Sequence, residues 1–328
     1  MSLIDAHDAA LFDLDGVIYL GPNAIEGVPE ALRELRSTGT RVGFVTNNAA
    51  RTPETVAKHL VELGIEAQAS DVVNSTMATL RMLSQHLPEG ASVLSVGSAA
   101  LADQLRDAGY CVVYERIPRP DAVVQGYDPD LDWRTLELGA LAIQDGAQWF
   151  VTNPDMTRPT HEGIVPGCGA QVQAIQACVR VEPGIAGKPY PPLLVETVER
   201  LGAAKPIFVG DRLDTDIRGA NNVGMPSLLV FTGAHGKHEL LQAAAEDRPT
   251  HIGTDVSALL AEPRIAERRD AAWVCRGQCA VDDAGRGRLL TIPTGQEAQL
   301  DALWALLQLA WDKGVDIAEA VEELDEVR

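Results

Sequence analysis

The chain has few basic side chains and very few lysines. Its 328 residues carry 27 lysines and arginines against 47 aspartates and glutamates, a formal net charge of −20, and only five of the basic residues are lysines. So acidic a surface repels nucleic acid and anionic lipid, and we expect neither as a partner. It would also repel a phosphorylated ligand unless a divalent cation and a lysine reverse the field locally.

Long apolar runs and a disulfide framework are absent as well. No apolar stretch approaches the roughly 20 residues that span a bilayer, and the first eight residues lack the basic and apolar regions of a signal peptide. The five cysteines are scattered and odd in number, which favours reduced thiols in a cytoplasm. Cys275 and Cys279 have the wrong spacing for a Cys-x-x-Cys metal site. His235 and His238 are interpreted as a solvated loop.

Apolar runs alternate with amphipathic stretches, which predicts β–α units around a parallel sheet. The predicted strands cover residues 9–13, 41–46, 92–96, 122–125, 149–152, 207–210 and 227–231. The predicted helices cover residues 28–37, 99–108, 133–143 and 217–223, with one opening at Thr52-Pro53 and one after Pro189. From about residue 259 the pattern changes, with strands predicted over 273–279 and 288–292 and an amphipathic helix over 297–312.

Four short polar segments follow apolar runs, where an open parallel sheet binds its ligands beyond the carboxyl ends of its strands. They cover residues 13–17, 46–48, 187–189 and 210–216. Together they supply two carboxylates two residues apart, a hydroxyl, amides, a lysine and further acidic groups. Asp13 and Asp15 end an extended run, and residues i and i+2 of a continuing strand point to the same side. Both carboxylates could then flank one phosphoryl group.

These segments, in this order, resemble those of the haloacid dehalogenase (HAD) superfamily over roughly residues 8–258. Residues 152–155 and 166–170 make the chain similar to the branch of NagD, p-nitrophenyl phosphatases and phosphoglycolate phosphatases. The resemblance implies a Rossmann-like, doubly wound α/β core (1–78 and 181–258) with an inserted α/β cap of the C2 type (79–180). A small α+β C-terminal extension (259–328) makes the chain most similar to the mycobacterial-type glycerol 3-phosphate phosphatases.

The resemblance also implies a role for each segment. Asp13 would attack phosphorus and form an aspartyl phosphate, while Asp15 would protonate the leaving alkoxide and then activate water. Mg²⁺ would be held by Asp13, the backbone carbonyl of Asp15, and Asp211, with Asp216 orienting metal-bound water. The predicted substrate contacts are Thr46, Asn47, Asn48 and Lys188 in the core and Asn153, Asp155, Arg158 and His161 in the cap.

The expected function is a Mg²⁺-dependent phosphomonoesterase for small metabolites. Glycerol 3-phosphate is the first candidate substrate, and phosphoglycolate, sugar phosphates, nucleotides and pyridoxal phosphate remain alternatives. A dehalogenase would need neither Asp15 nor a metal carboxylate, and the sequence has both. A phosphomutase would share the nucleophile and the metal, although its cap is placed differently in known mutases. A non-catalytic regulatory module is the remaining alternative, mainly for the extension.

The extension resembles part of an acetyltransferase fold, but Asp282 stands before Gly285 and Gly287 where an acetyl-CoA loop has a basic or amide residue. We therefore expect no acetyl transfer. The apolar helix face from Leu300 to Trp311 predicts an oligomerisation or docking element instead. A homo-oligomer formed through the cap or the extension is the corresponding expectation.

Overall fold

The structure is a computed structural model that describes residues 1–160 and 163–328. The strands are, in chain order, β1 Ala9–Phe12, β2 Tyr19–Leu20, β3 Asn23–Ala24, β4 Arg41–Thr46, β5 Val72–Asn74, β6 Ser92–Val96, β7 Cys111–Val113, β8 Ala122–Gln125, β9 Gln148–Val151, β10 Thr157–Thr160, β11 Gly163–Pro166, β12 Gly184–Ile185, β13 Pro206–Gly210, β14 Ser227–Val230, β15 His251–Gly253, β16 Ala266–Arg269, β17 Ala272–Cys275, β18 Gln278–Asp283 and β19 Arg286–Leu289.

The helices are α1 Val28–Ser37, α2 Pro53–Glu62, α3 Ser75–His86, α4 Ala99–Asp107, α5 Trp133–Gln144, α6 Cys168–Gln176, α7 Pro191–Leu201, α8 Arg218–Asn222, α9 Lys237–Leu241, α10 Gln296–Lys313 and α11 Ala318–Glu322. A π-helical turn over Leu213–Ile217 runs directly into α8. The chain divides into two compact units, residues 1–42 with 204–328 and residues 43–203. We describe each unit by itself.

The first unit is built on parallel strands that pair in the order β15, β14, β13, β1. Every residue of β1 is buried, as expected for a parallel strand covered on both faces. Phe12 lies beside Val209 in the register of β1 and β13, so the two strands end at the same edge. The loops after β1, β13 and β14 therefore emerge together, at the edge where parallel sheets bind ligands.

The second unit contains a parallel sheet of order β12, β9, β8, β6, β7, the parallel pair of β4 and β5, and the antiparallel hairpin of β10 and β11. Helix α5 packs on β6 and β8, and its apolar residues share a cluster with Leu94, Val123 and Ile175. The unit spans the predicted cap together with residues 43–78 and 181–203. The predicted boundaries of core, cap and extension thus stay a prediction.

Several predicted elements are confirmed to the residue, among them β4, β6, β8 and α1. Helix α2 also begins as predicted, because Thr52 accepts a hydrogen bond from the N–H of Thr55 and Pro53 occupies the first helical position. The first strand ends at Phe12, one residue early. The chain turns there, since Gly16 has φ +88° and the carbonyl of Leu14 accepts from the N–H of Ile18. The N–H of Asp13 still bonds the Val209 carbonyl at 2.9 Å, but the strand does not continue to Asp15, so the argument from strand alternation does not apply to this pair.

The extension forms an antiparallel sheet of order β16, β17, β18, β19. The single strand predicted over 273–279 is two strands, because the chain turns at Arg276 and Gly277, both with positive φ. Strand β16 was not predicted. Its exposed, charged sequence carries no apolar alternation that would reveal it.

Helix α10 confirms the helix predicted over 297–312 and packs on β17, β18 and β19, but the prediction that it is amphipathic is wrong, because every residue from Gln299 to Leu307 is buried. Its buried residues Leu300, Leu303, Trp304 and Leu307 belong to one apolar cluster with Leu213 and Leu240. The prediction that this face docks a partner is wrong, because the chain's own strands cover it. Assembly through another surface of the extension stays a prediction.

Within the described part of the chain, every helix is too short or too polar to span a bilayer.

His251, in β15, makes the stability of the first unit depend on pH. Its Nδ1 is buried and has no hydrogen-bond partner among the described residues. Burial, with a smaller effect of the charge of His7, lowers the pKa of His251 to about 4. As the pH falls from 7 to 5, His251 becomes protonated in the unfolded chain but stays neutral in the folded protein. The free energy of unfolding should then fall by about 2 kcal/mol from this residue.

We therefore expect His251→Gln to lose most of this pH dependence, measured by urea unfolding at pH 7 and pH 5. His238→Gln, at an exposed histidine of the same unit, should keep the wild-type decrease. An unchanged pH dependence in His251→Gln would show that His251 does not contribute it.

Candidate active site

Three carboxylates meet in the first unit where β1 and β13 end. The ligand atoms of Asp13, Asp211 and Asp216 all lie within 4.8 Å of one another. Asp13 is partly buried, while Asp211 and Asp216 are 2% and 1% exposed. Each pair of like charges at this separation repels by on the order of 3 kcal/mol, even at an effective dielectric constant of about 20. A cation would remove that repulsion.

The donor set fits a hard divalent cation. Carboxylate oxygens are the ligands that Mg²⁺ and Ca²⁺ prefer, whereas zinc sites favour nitrogen and sulfur donors. Asp13 and Asp211 were predicted as ligands, and the structure brings them together. It brings Asp216, predicted to lie behind the metal-bound water, just as close. The backbone contact predicted for Asp15 stays a prediction, and the Asp15 side chain is exposed.

Asp216 is held by the loop that follows β13. Its Oδ2 accepts hydrogen bonds from the N–H groups of Asp211 and Arg212, both at 3.2 Å. Its side chain packs on Gly210, where any Cβ would overlap the Asp216 carboxylate. The glycine in the fourth sequence segment is therefore required by close packing against Asp216.

Asp211 is enclosed in the same way by two glycines. A Cβ at Gly16 or at Gly233 would overlap the Asp211 carboxylate. Gly16 was predicted from sequence as the residue that permits the tight turn, and its φ of +88° agrees. Gly233, which comes from the loop after β14, was not predicted.

Residues 232–236, which we call the anchor loop, connect to both other loops. Thr232 Oγ1 donates to the carbonyl of Gly16 at 2.6 Å, and the N–H of Ala234 donates to Asp211 Oδ2 at 2.5 Å. The N–H of His235 donates to the carbonyl of Asp211 at 3.1 Å. The anchor loop thus fixes the orientation of the Asp211 carboxylate.

Sequence reasoning missed the anchor loop because most of these bonds use backbone groups, which have no residue signature. Its one signal was a Thr-Gly pair directly after a predicted strand. His235 lies in a loop, as predicted, but its side chain is not fully solvated, since it is half-buried and its Nδ1 accepts from the N–H of Leu213 at 2.9 Å.

In the second unit, Asn47 forms hydrogen bonds with both backbone polar groups of Lys188. Asn47 Oδ1 accepts from the N–H of Lys188 at 2.8 Å, and Nδ2 donates to the Lys188 carbonyl at 3.0 Å. Nδ2 also donates to Asp155 Oδ1 at 3.0 Å. Asn153 completes the group by donating to the Asn47 carbonyl at 2.9 Å. Four of the predicted substrate contacts are therefore brought together by hydrogen bonds to one another.

The other predicted contacts of the second unit have local partners. Thr46 is buried at the end of β4, and its Oγ1 accepts from the N–H of Asn48 at 3.1 Å. Asn48 Oδ1 accepts from the N–H of Ala50 at 2.8 Å, which is the turn geometry that asparagine favours. Their contact with substrate stays a prediction.

Arg158 lies on β10, and its Nε donates to the hydroxyl of Tyr127 at 2.8 Å. Its guanidinium carbon is 4.9 Å from the centre of the Tyr127 ring, within cation–π range. Tyr127 had no sequence signal that distinguished it. His161, the remaining predicted contact, lies outside the described residues.

Two titratable groups near these segments are poor candidates for chemistry. Burial raises the pKa of the Cys168 thiol to about 12, so it is not a thiolate nucleophile. Burial also acts to raise the pKa of Asp214, but the hydrogen bonds and charge of Arg212 outweigh it and hold that pKa below its ordinary value. Asp214 is thus an ionised partner of Arg212, with a 2.8 Å contact.

Comparison with known proteins agrees with this geometry. Residues 10–111 match the family model described as haloacid dehalogenase-like hydrolase, and residues 185–259 match one described as HAD-hydrolase-like. The D-glycerol 3-phosphate phosphatase of Mycobacterium tuberculosis is 38% identical over 321 residues, which are 98% of this chain and 86% of that protein. An acid sugar phosphatase of Staphylococcus aureus is 35% identical over 258 residues, 78% of this chain and 98% of the relative.

A solved structure is similar over nearly the whole length. The crystal structure of glycerol phosphate phosphatase from Mycobacterium tuberculosis in complex with magnesium superposes with a TM-score of 0.88 at 35% identity, covering 99% of this chain and 98% of that one. The resemblance found in the sequence is therefore confirmed, and the chain belongs to the haloacid dehalogenase-like hydrolase family.

Proposed function

We propose that this protein is a Mg²⁺-dependent phosphomonoesterase that hydrolyses small phosphorylated metabolites through an aspartyl-phosphate intermediate. The observation that carries the proposal is the carboxylate cluster of Asp13, Asp211 and Asp216 at the carboxyl ends of β1 and β13. It supplies a nucleophile and cation ligands in one place, in a member of a hydrolase family whose relatives named above are phosphatases.

Asp13 and Asp15 divide the chemistry between them. A carboxylate oxygen of Asp13 attacks phosphorus, the new P–O bond forms as the ester P–O bond breaks, and Asp15 gives its proton to the leaving alkoxide. Asp15 then takes a proton from water, whose oxygen attacks the same phosphorus. The acyl-phosphate bond breaks, phosphate leaves and the Asp13 carboxylate is restored. Asp15 thus ends the reaction protonated, as it began, and the two steps together transfer one proton from water to the alkoxide.

Asp13, Asp211 and Asp216, with the backbone carbonyl of Asp15, are the groups that would hold Mg²⁺. The bound ion would neutralise charge on the phosphoryl oxygens and so reduce their repulsion of the attacking carboxylate. The cluster lies in a chain with a net charge of −20, where a phosphate ester needs a local positive charge to bind.

In the proposed mechanism, Lys188 provides a positive charge in addition to that of Mg²⁺. Its side chain is 2% exposed, and burial strengthens its attraction for phosphoryl oxygens. Asn47 acts as a positioning residue, because its amide holds both backbone groups of Lys188. Thr46 offers a hydroxyl donor to the same phosphoryl group, and Asn48, Asn153, Asp155 and Arg158 complete the proposed substrate contacts.

Glycerol 3-phosphate is the proposed substrate, since the relative matched over 98% of this chain is named for it. A sugar phosphate is the second candidate, because the relative matched over 78% of the chain is an acid sugar phosphatase. The division into core, cap and extension belongs to the same proposal. A cytoplasmic location is also proposed, from the free thiols of all five cysteines.

Asp13→Asn should lower phosphate release from glycerol 3-phosphate by at least about a thousandfold, because an amide cannot form the covalent intermediate. Release should be followed across a panel of phosphate esters, with Mg²⁺ and with EDTA. Asp8→Asn is the matched control, since Asp8 precedes β1 as Asp13 follows it and binds the N–H groups of Ala204 and Lys205. Wild-type turnover in a folded Asp13→Asn protein would disprove the nucleophile assignment.

Asn47→Ala should lower kcat by up to about 100-fold, because Lys188 loses the group that positions its backbone. The KM should change less, since the charge of Lys188 is retained. Asn221→Ala is the control, as Asn221 also donates to two backbone carbonyls, of Glu246 and Arg248, in another part of the chain. Steady-state kinetics at saturating Mg²⁺ decide the matter, and equal kinetics for the two variants would contradict the positioning role.

A further inference from the structure

One of the five lysines is buried outside the candidate active site. Lys237 begins α9, directly after the anchor loop, and its side chain is 6% exposed. Burying an ammonium group costs several kcal/mol unless hydrogen bonds compensate it. Its Nζ donates to the backbone carbonyl of Leu324, a charge-assisted bond. The buried lysine therefore links the anchor loop to residues 324–328, which we call the tail segment.

The backbone makes the same link a second time. The N–H of Lys237 donates to the carbonyl of Arg328 at 2.7 Å. A Cβ on Gly236 would lie 2.8 Å from that carbonyl oxygen, so only glycine lets the tail segment lie this close to the anchor loop. Two hydrogen bonds from Lys237 and one close packing contact from Gly236 thus join the end of the anchor loop to the tail segment.

The tail segment is itself fixed to the rest of the extension. Leu324 and Val327 are buried in the apolar cluster that contains helix α10. Gln299 of α10 accepts from the N–H of Glu326 at 2.8 Å and donates to Asp325 at 3.0 Å. The extension thus holds the tail segment in place, and the tail segment contacts the anchor loop.

The tail segment is connected to the carboxylate cluster through a few residues and hydrogen bonds of the anchor loop. Ala234 donates to the Asp211 carboxylate and His235 to the Asp211 carbonyl, while Lys237 contacts the tail segment. A movement of Lys237 would pass through three residues to Asp211. Thr232 carries the same constraint to Gly16, the neighbour of Asp15.

We propose that Lys237 is a positioning residue through which the C-terminal extension fixes Asp211 and so sets the affinity of the carboxylate cluster for Mg²⁺. The proposal rests on the Mg²⁺ dependence in the proposed function and gives the extension a role in it. The extension then acts on metal binding from within the same chain, without touching the substrate.

The proposal distinguishes between two cations. Mg²⁺ requires near-ideal octahedral geometry at about 2.0–2.1 Å, whereas Ca²⁺ accepts irregular geometry at about 2.3–2.6 Å. A small displacement of the Asp211 carboxylate should therefore weaken Mg²⁺ more than Ca²⁺. A general loss of stability would weaken both ions alike.

The test is calorimetric titration of the metal-free, full-length protein with MgCl₂ and, separately, with CaCl₂. Lys237→Met should raise the dissociation constant for Mg²⁺ by at least about fivefold, equivalent to about 1 kcal/mol, and that for Ca²⁺ by less than about twofold. Val327→Ala loosens the tail segment without altering the anchor loop; it should raise the dissociation constant for Mg²⁺ by a smaller factor than Lys237→Met does, and again by more than that for Ca²⁺. If Lys237→Met does not fold, the result for Val327→Ala tests the proposal.

Lys313→Met is the matched control. Lys313 ends α10 and donates within the extension to the carbonyl of Ala271, so its loss should leave both dissociation constants as in the wild type. Unchanged Mg²⁺ binding in Lys237→Met and Val327→Ala, or an equal loss for both ions, would overturn the inference. A wild-type protein that binds no Mg²⁺ and releases phosphate equally in EDTA would instead overturn the proposed function, on which the inference depends.

Discussion

The mutual repulsion of three close carboxylates is the constraint on which the rest of the first unit depends. Asp13, Asp211 and Asp216 would separate in a flexible chain, since each pair repels at this distance. They are kept together by backbone N–H groups directed at Asp211 and Asp216 and by glycines that allow other loops to approach them. These hydrogen bonds and close contacts hold the carboxylates in an arrangement to which a bound cation would add favourable electrostatic interactions.

The second unit solves the complementary problem of fixing a positive charge. A lysine side chain has a flexible four-carbon stem, so fixing its backbone removes part of the freedom of its ammonium group. Asn47 holds that backbone although it lies 141 positions away in the sequence. Thr232 and Gly16 are joined across 216 positions in the first unit. Bonds of this range exist only in the folded chain, which makes the geometry of both groups a property of the whole fold.

Most of the parallel strands and long helices could be predicted from sequence, because each buries an apolar run or stripe of ordinary length. The candidate residues could also be located, since polar groups after buried strands share one edge of a sheet. Backbone-mediated contacts could not, and this is why the anchor loop and Gly233 were missed. The first strand was predicted one residue too long, because the sequence does not show that the carbonyl of Leu14, two residues after Phe12, accepts the hydrogen bonds of a turn.

The burial of Leu324 and Val327 beside Leu213 and Leu240 has a consequence for protein engineering and for evolution. A domain with its own hydrophobic core can be exchanged between homologues by recombination at its linker. Here the interior is shared, so a hybrid that joins this extension to another member's catalytic portion would meet mismatched side chains along the seam. Exchange would succeed only if the exchanged segment also included residues 213–252, whose buried side chains share this interior, so that the extension and this stretch are inherited as one unit.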